Sequence, residues 1–175
     1  MLDLMLLPLA AGLVILSIHA YFGLHVIARG VIFVDLAFAQ IAALGTTVGL
    51  LLGLEAESPG ALALALGATT LGALLFSFSR MEKGLVPQEA IIGIAYVVAS
   101  AGVILLSSFT AEGAEHLKET LTGTLIWVGW PEVIRMAVVY AVLGGLHWLF
   151  RGRILATTFQ PEGMQGFHLW DFMFY

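Results

Sequence analysis

Cysteine does not occur in this chain of 175 residues, so disulfides and thiolate metal sites are excluded. Charge is nearly as scarce. Only 11% of the residues are Asp, Glu, Lys or Arg, against about 25% in an ordinary soluble domain. A water-soluble fold of this size needs charge over its surface to stay dissolved, so the deficit argues against water as the surrounding medium. Basic residues are the rarest: 7 Lys and Arg stand against 12 Asp and Glu, for a net charge of −5. Phosphate backbones are held by clustered Lys and Arg, and nucleic acid is excluded as a partner. The opening Met1-Leu2-Asp3-Leu4-Met5 lacks the basic n-region of a cleaved signal peptide, so the first apolar stretch reads as a retained span. Nucleophile–base sets, a Gly-rich phosphate loop and a His-Glu-x-x-His helix are also missing. No catalytic site and no bound cofactor are expected.

What is present is hydrocarbon: 60% of the residues are hydrophobic and the mean hydropathy is +1.00. A membrane span takes about 20 mostly apolar residues. Five runs qualify: Leu4 to Ile27, Val31 to Leu54, Ala61 to Ser79, Ala90 to Phe109 and Val133 to Phe150. They are continuous rather than alternating, which favours helices over barrel strands. Polar breaks separate them at Glu55-Ala56-Glu57-Ser58-Pro59-Gly60 and Arg80-Met81-Glu82-Lys83-Gly84-Leu85-Val86-Pro87, and Arg151-Gly152-Arg153 ends the fifth. Thr110 to Pro131 starts polar and closes with an apolar stretch, Leu121 to Trp130, too short to span. It fits an interfacial or re-entrant helix with Trp127 and Trp130 at headgroup level. The expected fold is therefore all-α, a polytopic bundle of about five transmembrane helices plus that extra helix. Residues 1–175 are expected to form a single transmembrane domain.

The few charges orient the bundle. Arg29, then Arg80 and Lys83, then Arg151 and Arg153 fall at alternate span ends, while the intervening loops carry Glu55, Glu57, Glu112, Glu115 and Glu119 against Lys118. The excess of Lys and Arg in short loops marks the cytoplasmic side, which puts the N-terminus outside. A new apolar run begins at Asp171-Phe172-Met173-Phe174-Tyr175, so a chain cut before a further span is expected.

Several residues are candidates for more than insertion. Gly45, Gly49 and Gly53 recur every four residues in the second span and make a face on which two helix backbones can meet. Asp35 is that span's only charge. A carboxylate at membrane depth costs at least a few kcal/mol, so it is expected to face the bundle interior, a wet cavity or a basic partner. It is a candidate for a cation path, or for a salt bridge near Arg29. Gln40 follows five residues later, about 140° round the helix, so the two can line successive levels of a path but not one ion. Glu112, Glu115, His116 and Glu119 have the spacing of one helix face. Their oxygen and imidazole ligands suit Zn, Mn or Fe(II), and the plainer reading is a solvated polar face. Glu89 opens the fourth span as a first-turn acid. His19, His25 and His147 read as hydrogen-bonded interior histidines.

Stretches Gly23-Leu24-His25-Val26-Ile27-Ala28-Arg29 and Phe33 to Gly45, then Gln88 to Ile94, Leu121 to Val128 and Phe159-Gln160-Pro161-Glu162-Gly163-Met164 occur in this order. The series resembles the permease subunits of bacterial ABC transporters for divalent metal ions, the zinc/manganese/iron class. The resemblance implies an inner-membrane permease with no resident cofactor, whose substrate is a divalent ion. It also implies an ATPase subunit docked on a cytoplasmic loop at Phe159, Pro161, Glu162 and Gly163, an extracytoplasmic metal-binding protein, and a homodimer around the path. Family permeases commonly carry an Asp followed four residues later by a metal-binding His. Here Asp35 matches the Asp, but Ala39 stands fourth and Gln40 next, so the resemblance is to a divergent branch. Asp35, Gln40 and His116 are the expected pathway residues, and family permeases continue for about three further spans. A secondary transporter or channel without an ATPase, or a non-transporting fragment, is the rival reading.

Because the chain has no cysteine, topology can be tested directly. Single cysteines at Met81→Cys and Gly152→Cys should react with an impermeant maleimide from one side of the membrane, and Ser58→Cys from the other. Labelling that places residues 80–83 and 151–153 on opposite sides overturns the span count.

Overall fold

A computed structural model describes residues 2–79, 86–109, 128–159 and 169–172. Every regular element among them is an α-helix: α1 (Leu2–Arg29), α2 (Val34–Leu51), α3 (Pro59–Ser79), α4 (Gln88–Ser107), α5 (Trp130–Leu149), α6 (Arg151–Phe159) and α7 (Leu169–Phe172). The first five are long and apolar enough to cross a membrane. The expected interfacial or re-entrant helix falls mostly outside the described residues, as do Arg80 and Lys83.

The span ends lie within three residues of the sequence expectation, and two of the shifts have a visible cause. The fifth span opens at Trp130 rather than Val133, so Trp130 belongs to the spanning helix and not to the segment before it. Pro131 sits in the first turn, where a missing N–H costs nothing. Glu132 Oε2 accepts the Gly129 N–H at 3.0 Å. Glycine has no side chain to return the bond, so this is half of a capping box. The second span is shorter than Val31 to Leu54. It ends at Leu51, because Gly53 turns to φ 79° and donates its N–H to Leu50 O, while Leu54 N–H reaches Gly49 O, both at 3.0 Å. That pair of bonds is the Schellman ending, which needs a left-handed residue at the Gly53 position.

Side-chain hydroxyls inside the spans are tied to their own helices. Thr47 Oγ1 donates to Ala43 O at 2.8 Å, Thr70 to Leu66 O at 2.7 Å and Ser17 Oγ to Val14 O at 2.7 Å. Such back-bonds let a polar residue sit in hydrocarbon without an exposed donor.

The chain divides into two compact units. In the first, α1 packs with α5 and α6. His19 meets Tyr140 with ring centroids 5.6 Å apart, and Phe22 meets His147 at 4.9 Å. Contacts climb both helices together, so α1 and α5 run parallel, as the first and fifth of alternating spans must. The break at Phe150 then starts α6, whose buried Ile154, Thr157 and Thr158 have the i, i+3, i+4 spacing of one helix face.

In the second unit, α2 is the central helix, packed on α3 and α4, and α7 lies against α3. The α2–α3 contact is antiparallel: Gly45 faces Leu64 and Ala65, Gly49 faces Ala61, and Gly72 faces Ile41. A Cβ built on Gly45 would stand 2.6 Å from Leu64 O and 2.7 Å from Ala65 Cα, so backbone touches backbone there. Lipid tails are as apolar as Leu, and close packing between small residues is what holds spans together. Gly72 and Gly102 receive Ile41 and Leu44 in the same way, each with a methyl 2.9 Å from a built Cβ. Phe38 stacks edge-on against the buried Phe76 with centroids 5.3 Å apart. Gly53, by contrast, lies beyond the helix with nothing within 4 Å. The every-four spacing that joined it to Gly45 and Gly49 is a packing face for those two only; Gly53 ends the helix.

Gly45→Ala should therefore lower the thermal unfolding temperature in detergent, since overpacking of this kind costs about 1–3 kcal/mol. Gly67→Ala, on α3 with no atom within 4 Å of the new methyl, should leave it unchanged or raise it. Equal effects at the two positions would show that the Gly45 contact does not hold the unit together.

Candidate functional site

Asp35 stands in the first turn of α2, where the helix dipole favours a negative charge. Its side chain is exposed. Val34 and Ala37 are the buried positions of that turn, and the helical advance of about 100° per residue carries Asp35 off their stripe. Of the surroundings expected for it, the interior of its own unit is the one Asp35 does not occupy: the side chain is presented outward. Gln40 is half-buried further along α2, on a different helical face, so α2 does not bring the two together. Among the described residues no group of three or more His, Asp or Glu converges to hold a metal ion. His116, with Glu112, Glu115 and Glu119, lies outside the described residues.

Glu89, read from sequence as a first-turn acid of α4, does more than complement a dipole. Its Oε1 accepts the Phe33 backbone N–H at 2.9 Å, which holds the turn immediately before α2. The neighbouring Gln88 Nε2 donates to Phe76 O at 2.7 Å, near the C-terminal end of α3. The Gln88-Glu89 pair thus ties together the start of α2, the end of α3 and the start of α4. This is the end of α2 that carries Asp35.

A second cluster gathers in the other unit. His25 is 1% exposed, and its Nδ1 lies 2.8 Å from Thr158 Oγ1. Arg29 Nε donates to the same hydroxyl oxygen at 3.3 Å. The guanidinium can only donate, so Thr158 accepts from it and keeps its own hydrogen available for the imidazole. Tyr21, one turn before His25, stacks edge-on against it with centroids 4.7 Å apart, and the Phe159 ring lies 6.0 Å away. The last turn of α1 is thereby fixed to the last turn of α6, and α6 ends at Phe159. Phe159 itself is exposed; Pro161, Glu162 and Gly163 lie outside the described residues.

Sequence reading treated His25 as one of three similar histidines. The structure separates them. His25 is buried against a partner 133 positions away. His19 is exposed and His147 half-buried, and each gives Nδ1–H to a carbonyl four residues back, Ile15 O and Leu143 O, at 2.9 Å. His19 is therefore not an interior residue. No local signal could reveal the His25–Thr158 pair. The usable hint was that α6 carries two adjacent threonines on its apolar face.

The family model described as the ABC 3 transport family matches residues 1–169. The chain belongs to the ABC 3 transport family. Membership, with five apolar helices long enough to span, makes it a multi-pass ABC transporter permease, which is not itself an enzyme. Comparison with curated proteins and with solved structures gives no match.

Thr158→Val should destabilise the protein by about 1–3 kcal/mol, the usual effect of taking a hydrogen-bond partner from buried polar groups. Thr158→Ser, which keeps the hydroxyl, should recover most of that loss. Thermal unfolding in one detergent compares the three proteins; a valine variant as stable as the parent removes the cluster from the list of structural ties.

Proposed function

We propose that this ABC 3 permease carries a divalent metal ion of the zinc/manganese/iron class inward across the cytoplasmic membrane. Two copies enclose the path. A separate ATPase supplies the work, and an external binding protein delivers the ion. The observation that carries the reading is Asp35. It is the only charge in its span, stands at the helix N-terminus, and is presented outward from the unit that holds it. An outward carboxylate in an apolar helix is costly against lipid. A hydrated path shared with a second copy removes that cost and gives the carboxylate a cation to attract.

Gln40 supplies an amide oxygen at another level, and His116 is a further candidate on the route. With an amide in place of the family's His, Asp35 and Gln40 offer oxygen ligands, which suit harder ions such as Mn better than a Cys- or His-rich site would. Phe159 to Gly163 is the proposed ATPase contact. Thr158 stands one residue before it, so the His25–Thr158–Arg29 cluster is positioned to transmit ATPase-driven movement to α1. ATP binding on the partner then biases which side of the path is open, as differential affinity for two states requires.

Asp35→Asn should reduce metal uptake into cells or proteoliposomes by about ten-fold or more, the scale of one lost interaction with a charged group. Membrane insertion and detergent stability should stay unchanged, because the side chain is exposed. Wild-type uptake by the variant would remove Asp35 from the path.

A further inference from the structure

We propose that the groove between α1 and α5, closed at one end by α6, is a binding site for one anionic phospholipid. The groove holds about 470 Å³ and is lined almost wholly by apolar atoms. Along α5 it extends from Tyr140 to Trp148, roughly 12 Å at the helical rise, and Arg151 at the start of α6 lies just beyond. That length approaches the depth of one leaflet, half of the ~30 Å hydrocarbon core. Gly144 lies in its wall, and a Cβ there would meet nothing within 4 Å, so the missing side chain leaves room for an acyl chain.

The polar end selects the headgroup. The Arg151 guanidinium stacks on the Trp148 ring at 4.4 Å. Stacking occupies the face of the guanidinium and leaves its N–H donors, which lie in the plane, directed outward at a position fixed by the ring. Such donors match two phosphate oxygens. Among the described residues that line the groove none is acidic, so no carboxylate competes for the cation. The half-buried His147 beside it has its Nδ1–H committed to Leu143 O and turns its other nitrogen away from that bond. A choline ammonium gains nothing from this set, whereas a lipid with net negative charge gains the arginine. Basic recesses between spans on the cytoplasmic side are where acidic headgroups are held. The positive-inside rule puts Arg151 on that side. The site is independent of which ion the permease carries.

The test uses the full chain in nanodiscs with Trp148 as its sole tryptophan, after Trp127→Phe, Trp130→Phe and Trp170→Phe. Trp148 fluorescence is titrated with phosphatidylglycerol or phosphatidylcholine carrying the same brominated acyl chains. The expected result is about a five-fold preference for phosphatidylglycerol, the scale set by one basic residue. The preference should fall to about one in Arg151→Gln and survive in Arg153→Gln. Gly144→Leu, which fills the groove and leaves Arg151 in place, should also abolish it. Equal quenching by the two lipids in the parent overturns the site. So does a preference that persists in Arg151→Gln or Gly144→Leu, or one lost equally in Arg153→Gln. Absence of quenching by either lipid, as when a protein segment or a second copy fills the groove, overturns it too.

Discussion

A polypeptide that crosses hydrocarbon must satisfy every backbone N–H and C=O from within itself, because lipid offers no hydrogen bonds and each orphan costs several kcal/mol. The rest of this structure follows from that demand. It makes the five spans helical. It bends the hydroxyls of Thr47, Thr70 and Ser17 back onto their own carbonyls. It also leaves the association of the helices to be driven by something other than the hydrophobic effect, since leaving lipid for another helix gains an apolar side chain little. Close contact is what remains, and it explains why α2 and α3 meet where Gly45 and Gly49 allow backbones to touch.

The same demand sorts the polar side chains by use. Glu89 spends its carboxylate on the Phe33 amide, Gln88 its amide on the Phe76 carbonyl, and Thr158 its hydroxyl on His25 and Arg29. These groups are bound into the scaffold at helix ends, where geometry is fixed by few bonds. Asp35 is different, because its position on α2 points it away from the packed unit. That exposed carboxylate is what the proposed path rests on. Arg151, held face-on by Trp148, lines the groove between α1 and α5.

Much of this was legible from residues alone. The five spans came from run length, and the parallel course of α1 and α5 agrees with the alternation that the basic loops imply. The three glycines show where such reading stops. Gly45, Gly49 and Gly53 look alike in sequence, yet two are pressed against α3 while the third adopts a left-handed turn. Spacing fixes which residues share a face only while the helix continues, and nothing in the four-residue rhythm says where it ends. The fifth span erred the other way: its apolar run begins at Val133, past Pro131, but a proline in the first turn begins a helix.

Sequence by itself determined that the chain resides in a membrane, where the five apolar runs found as helices among the described residues lie, and that Asp35 is a costly residue in its span. Those conclusions rest on transfer free energies, which depend on composition and run length and add along the chain. Tertiary structure decided that Asp35 faces outward, that Glu89 holds the turn ahead of it, and that His25 is singled out from His19 and His147 by a threonine 133 positions away. Those depend on which helix faces meet. In lipid that choice turns on contacts of a few tenths of an ångström between small residues, which no hydropathy pattern encodes.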